Sequence, residues 1–242
     1  MKSIRSLFAF FIVLGFLQAC GSNPEKPYAK SEVTEKSTAV ADDSSPTKPK
    51  TNVPSSVLPA GPVTPNPYLQ NPPKLSEQVQ IGFQNAVAAM QQKKWDEAEV
   101  ALKQLAEKNP KLSGLYLNLG IVYRNKGMKD NAAEEFNRAI TVNPKNLDAY
   151  NQLAVLKREA GDFAAAENLY QKALSVWPFY SDGHKNIAIL YDLYLSKPEQ
   201  ALPHYLAYQH LLAAPDKQVD SWVAELERRL KAGKSSDKTE AN

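Results

Sequence analysis

Apolar residues along this chain recur at helical spacing, most clearly between Ser113 and Asn146. There Tyr116, Leu119, Gly120 and Tyr123 fall at i, i+3, i+4 and i+7, on one face of a helix. Gly127 ends that helix. Ala132, Phe136, Ala139 and Ile140 then mark a second stripe, which stops at Asn143 and Pro144 because proline disfavours a helical residue before it. The pattern returns 34 residues on, with Tyr150, Leu153, Ala154, Gly161, Ala166, Tyr170, Ala173 and Pro178 in the matching places. Two helices of this size cannot bury their faces alone, so stacked helical pairs are expected.

Units on either side are less regular. Residues 79–112 keep Ala86, Ala98 and Pro110 in register, but Gly82 stands where the aromatic belongs and Phe83 sits one place later. Ser76 is placed to cap the first helix, and Trp95 falls in the turn before the second. Residues 181–215 begin regularly with Ile187, Ala188 and Tyr191, then need one extra residue to bring Ala201 and Tyr205 into place. Ser196, Lys197, Pro198 and Glu199 read as a capping box with an early proline, and Pro203 is expected to kink the helix that follows. A last helix, 217–231, gathers Val219, Trp222, Val223, Leu226 and Leu230 on one face, as a solenoid cap requires. The polar tail, 233–242, is expected to be disordered.

An aromatic, Leu, Gly or Ala, Ala, aromatic, Ala and Pro at these places make residues 75–232 resemble the tetratricopeptide repeat family. The resemblance implies an all-α fold, a right-handed superhelix of about four repeats (79–112, 113–146, 147–180, 181–215) closed by a C-terminal capping helix. In that family the first helices of successive repeats line a concave groove. Residues one period apart become spatial neighbours there, so Gln84, Asn118, Gln152 and Asn186 form a candidate ladder of carboxamides for an extended peptide. Ile121, Arg124, Asn125, Asn151, Arg158 and Lys185 complete a candidate groove that is polar with a basic edge. The carboxylate clamp of some cytosolic members is not matched: Leu117 and Ile121 stand where its charged pair begins, and Asp148 and Asp182 replace cations.

The N-terminus carries a different signal. Lys2 and Arg5 precede an apolar run from Leu7 to Leu17, too short for a stable bilayer span, and Leu17-Gln18-Ala19-Cys20 follows. This resembles a bacterial lipoprotein signal, which implies removal of 1–19 and lipidation of Cys20. A secretory signal with a chance cysteine, or a short anchor, are the alternatives. Cys20 is the chain's one cysteine, so no disulfide forms within it. Gly21 and Ser22 follow instead of the aspartate that retains enterobacterial lipoproteins at the inner membrane, which points to the periplasmic face of a Gram-negative outer membrane. Residues 20–74 are rich in Pro, Ser and Thr and read as a disordered linker reaching at most ~160 Å as polyproline II.

Composition adds exclusions. A net charge of +3, mixed along the helices, does not make the clustered basic stripe of a nucleic-acid binder. The glycines have turn or packing places, with no phosphate-binding loop. His204 and His210 are six apart, wrong for two metal ligands on one helical face, and His184 sits at a packing position. Asp96, Glu97, Glu134 and Glu135 lie among polar neighbours as a solvated face. The expectation is a noncatalytic scaffold without cofactor or metal, binding an envelope protein or peptide segment and tethered to a membrane through Cys20. A pilotin-like or assembly-factor role, or a structural spacer without a groove ligand, are the alternatives.

Overall fold

The computed structural model describes residues 53–240. The signal segment, Cys20 and the chain up to residue 52 lie outside the described residues. Nine α-helices follow one another among the described residues: α1 (Glu77–Gln91), α2 (Trp95–Lys108), α3 (Ser113–Asn125), α4 (Lys129–Val142), α5 (Leu147–Glu159), α6 (Phe163–Val176), α7 (Ser181–Ile189), α8 (Pro198–Leu211) and α9 (Lys217–Glu240). Each odd helix packs on the even helix after it, and each pair packs on the next. The result is an all-α solenoid of four helical pairs closed by α9.

The interior is built from small residues facing large ones. Ala98, Ala132, Ala166 and Ala201, one per second helix, have no exposed surface. One turn further along, Leu102, Phe136, Tyr170 and Tyr205 supply the bulk, each almost fully buried. Alanines let neighbouring backbones approach closely while the larger side chains fill the gaps between them, which keeps the interior near crystal-like density. Ser76 caps α1 by accepting from the Val79 N–H, and Asn146 and Asp162 cap α5 and α6 in the same manner.

The turn inside each pair uses one left-handed residue. These are Lys93 (φ 59°), Gly127 (φ 78°), Gly161 (φ 80°) and Ser196 (φ 51°). The first three lie 34 residues apart and the fourth 35, so the extra residue expected in the last unit falls before Ser196. A π-helical turn, Leu190–Tyr194, absorbs it. In the first three pairs the turn closes with an N–H to a carbonyl five residues back (Lys94 to Ala89, Met128 to Tyr123, Asp162 to Lys157), whereas Lys197 reaches six back to Tyr191 at 2.8 Å.

Three sequence expectations are corrected. The capping box at α8 does not form: Lys197 is the N-cap residue and no side chain caps the helix. Ser196 is left-handed and occupied in the turn instead. Trp95 opens α2 instead of lying in the turn before it. The last helix runs past Lys231 to Glu240, so the expected disordered tail is helical through that residue.

The largest difference concerns residues 53–74, expected as disordered linker. They form a strap lying along the solenoid against the order of the repeats. Leu58 is 7% exposed and packs with Phe179 and Ala207 near the fourth pair. Further on, Trp177 Nε1 donates to the Thr64 carbonyl at 3.0 Å. Tyr68 then reaches the start of α3, its hydroxyl 3.4 Å from Ser113 Oγ. The composition of this stretch is proline-rich, but proline restricts the unfolded chain as well and lowers the entropy lost on ordering. A few apolar anchors therefore suffice.

Candidate functional site

The four first helices face one open groove of about 2570 Å³. Nine of the ten groove residues read from the sequence line it: Gln84, Asn118, Arg124, Asn125, Asn151, Gln152, Arg158, Lys185 and Asn186. Ile121 does not. It is 3% exposed and belongs to the apolar interior of the first three pairs. Its carbonyl accepts from Asn125 Nδ2 at 2.8 Å, so the two residues meet through backbone and only Asn125 reaches the groove.

The carboxamides are brought together, but as bonds between helices more than as an open ladder. Gln152 Oε1 accepts from Arg124 Nη1 at 2.9 Å, and Asn186 Nδ2 donates to Asn151 Oδ1 at 2.9 Å, each spanning adjacent pairs. Asn118 Nδ2 donates to the Gly114 carbonyl at 2.7 Å, while its Oδ1 is buried with no hydrogen-bond partner. Asn118, Asn151 and Gln152 are buried, and Gln84 and Asn125 are exposed. The reason lies in α3 and α5, buried from Leu115 to Tyr123 and from Ala149 to Leu156: each packs on its own second helix, on the preceding pair and on the next first helix.

The basic edge is largely neutralised from within. Arg124 pairs with Glu159 at 2.7 Å and Lys185 with Asp216 at 2.9 Å. The Lys185 ammonium holds the Asp216 carboxyl down to about 2. Arg158 lies over the Tyr194 ring at 5.5 Å, and its Nε and Nη1 are buried without a hydrogen-bond partner. A second charged knot ties the first two pairs: Lys126 bridges Asp96 and Glu99, each at 2.6 Å, and Glu99 also accepts from Lys103. The hydrogen bond from Lys103 and then that from Lys126 pull Glu99 down to about 2.

Sequence reading missed the inter-repeat edge of the groove. Here the loop Trp177–Tyr180 and the start of α3 hold the strap. Ser113 Oγ meets both the Tyr68 hydroxyl and Asn146 Nδ2, the latter at 3.3 Å, so strap and helix cap share one node. Tyr180 is fixed there by donating to Asp148 Oδ1 at 2.8 Å. The signal was present in Trp177-Pro178-Phe179-Tyr180, three aromatics around a turn proline, of which only the proline was used.

The histidines form a buried pair. His184 Nε2 bonds the Pro178 carbonyl at 2.7 Å, and His184 Nδ1 lies 2.9 Å from His204 Nδ1. Since a carbonyl only accepts, His184 carries its proton on Nε2 and accepts from His204 through Nδ1. Burial pushes both below the usual histidine range, and the neighbouring His184 helps take His204 down to about 3. Among the described residues no group of three or more His, Cys, Asp or Glu is placed to hold a metal ion.

Models of the tetratricopeptide repeat match residues 83–111, 113–146 and 146–177. The first three helical pairs match tetratricopeptide repeats, and the fourth continues their all-α stacking. PilF of Pseudomonas aeruginosa is similar in structure, with a TM-score of 0.58 at 20% identity over 64% of this chain and 70% of that one. A MamA double mutant (RS-1) gives 0.55 at 13% identity over 68% and 92%, and another MamA structure 0.50 at 17% over 69% and 96%. At these identities the likeness concerns the fold alone. No curated protein matches the chain. Tetratricopeptide repeats are interaction scaffolds, so the fold implies protein partners.

Proposed function

We propose that the chain is a noncatalytic, membrane-tethered tetratricopeptide-repeat scaffold that binds a peptide segment of a cell-envelope protein in its concave groove. One observation carries this reading. Polar side chains from four successive helical pairs line one continuous open groove, and Gln84 and Asn125 keep exposed carboxamides on it. Its exposed polar points, Gln84 and Asn125, are free to meet a partner's backbone without disturbing the buried carboxamides. Tethering rests on the lipoprotein-like signal ending at Cys20, and the lack of aspartate after it favours the periplasmic face of the outer membrane. No helix among the described residues is long and apolar enough to cross a membrane, which is compatible with a lipid holding the protein there. A pilotin-like or assembly-factor role is one form of this scaffold.

The test is in vivo photo-crosslinking from Gln84 and Asn125, followed by mass spectrometry. These positions are preferable to Asn118 and Gln152, which are buried. An envelope protein crosslinked from both positions, and lost when Gln84→Arg and Asn125→Arg are combined, supports the reading. No crosslinked envelope protein from either position removes it.

A further inference from the structure

The strap is bound in a manner unlike the rest of the fold. Among the described residues its backbone-to-backbone hydrogen bonds are local turns, such as Leu58 to Pro54 and Leu69 to Asn66, with none to the repeats. Its attachment consists of separate anchors: Leu58 between Phe179 and Ala207, Thr64 on Trp177, and Tyr68 on Ser113. Beside them it is open to solvent, with Val63 57% and Leu69 50% exposed. Seven prolines stand between Val53 and Pro73, each fixing φ and removing a backbone donor. Such a segment has few backbone conformations before it binds, so it gives up little entropy and offers side chains and carbonyls more than amides. This is the economy by which proline-rich segments dock on aromatic surfaces.

The receiving surface complements those features. Trp177 presents its indole N–H to a carbonyl, as a partner lacking amide donors requires. Phe179 and Ala207 form an apolar seat for a branched aliphatic side chain. The Tyr68 hydroxyl also lies against Gly114 at the start of α3, beside Ser113. The same surface borders the groove that carries the polar residues.

We propose that this inter-repeat edge is a seat for proline-rich segments that present an aliphatic residue and a tyrosine from local turns, and that residues 53–73 are the internal occupant such a partner displaces. The inference rests on the reading of the groove as a protein-binding surface and specifies the chemistry of what binds its edge. A tethered occupant competes at the high effective concentration of an intramolecular segment. The affinity of an external partner is therefore multiplied by the fraction of chains whose seat is open.

The experiment uses the purified chain and a fluorescent peptide of residues 53–73, followed by anisotropy. Leu58→Ser combined with Tyr68→Ala alters the strap and leaves the seat untouched. This variant should bind the peptide at least about tenfold more tightly than the unaltered chain. Adding Trp177→Phe, which removes the indole donor and keeps an aromatic ring, should weaken that binding several-fold. Hydrogen exchange should show residues 53–73 losing protection in the strap variant while α3 to α6 keep theirs, separating release from unfolding. Equal affinity of the peptide for both chains, binding to neither, or indifference to Trp177→Phe overturns the proposal. So does a concentration-dependent dimer of the unaltered chain, which would assign the seat to a second copy's strap. These outcomes are read separately from crosslinking at Gln84 and Asn125, so failure of the strap proposal is distinguishable from failure of the groove reading.

Discussion

Gly120 shows how closely single atoms decide this fold. The equivalent places in the other first helices hold Ala86, Ala154 and Ala188, none with exposed surface. A Cβ on Gly120 would lie 2.4 Å from Phe136 Cε1 and 2.5 Å from Cδ1, and Phe136 itself is fully buried. Gly120→Ala is thus expected to destabilise the chain by ~1–3 kcal/mol through overpacking, despite alanine's better helix propensity. Urea denaturation measures this, and an unchanged or raised midpoint would show that Phe136 moves aside freely. The packing place of Gly120 was legible from its register. The burial of Ile121 was not, because periodicity marks the face turned to the paired helix and says nothing of how tightly the concave faces of neighbouring first helices close. For the same reason the carboxamides of Asn118 and Gln152 were legible as neighbours of one groove and not as bonded groups within it.

At the scale of elements, the fourth pair differs by one residue and carries the buried histidines. Counting along the sequence revealed the extra residue but not its form. The π turn exists only in hydrogen bonds such as Leu195 N–H to the Leu190 carbonyl at 3.1 Å, which no residue type announces. The pair His184 and His204 joins α7 to α8, beside the Tyr191 ring and beneath strap residues 55–59. Both titrate below their ordinary value of 6.5 in the folded chain, His204 down to about 3. Between about 6.5 and 3 the unfolded chain therefore binds more protons than the folded one. Stability is full above about 6.5 and falls as pH drops toward 3. Glu99 and Asp216, held at about 2 from ordinary values of 4.5 and 3.8, contribute the same direction of loss only at lower pH. His204→Gln, which cannot take up a proton, should flatten the decline in unfolding free energy between pH 7 and 5. Parallel curves for the two chains would exclude the pair as its source.

Across the whole molecule, residues 53–74 were the least legible part. Composition assigned them to a linker because prolines, serines and threonines outnumber large apolar residues there, and an average over the stretch hides two well-placed anchors. Burying Leu58 and most of Tyr68 is worth ~1.5–3 kcal/mol each by area, enough to hold a segment whose prolines have already reduced its freedom. The repeats were legible because their period recurs, whereas the strap's binding depends on single contacts with loops more than a hundred residues away, such as Thr64 with Trp177. The proposed membrane tethering rests on the sequence of the same N-terminal region. Cys20→Ala is expected to move the protein from the membrane to the soluble fraction and abolish labelling by palmitate, while circular dichroism of the helices stays unchanged. Retention of membrane association in that variant would exclude the thioether-linked lipid as the anchor.

Because the strap runs against the repeats, the chain enters the solenoid beside the fourth pair, although the first pair is nearest in sequence. With Cys20 in a bilayer, the remaining leash is counted from Val53 and spans at most ~115 Å when fully extended. A tether attached there would pull on the far end of the solenoid. Tension on that leash would act on Leu58 before Thr64 and on Thr64 before Tyr68, peeling the anchors one at a time. Each anchor released also lengthens the leash, so distance from the membrane and vacancy of the edge would rise together.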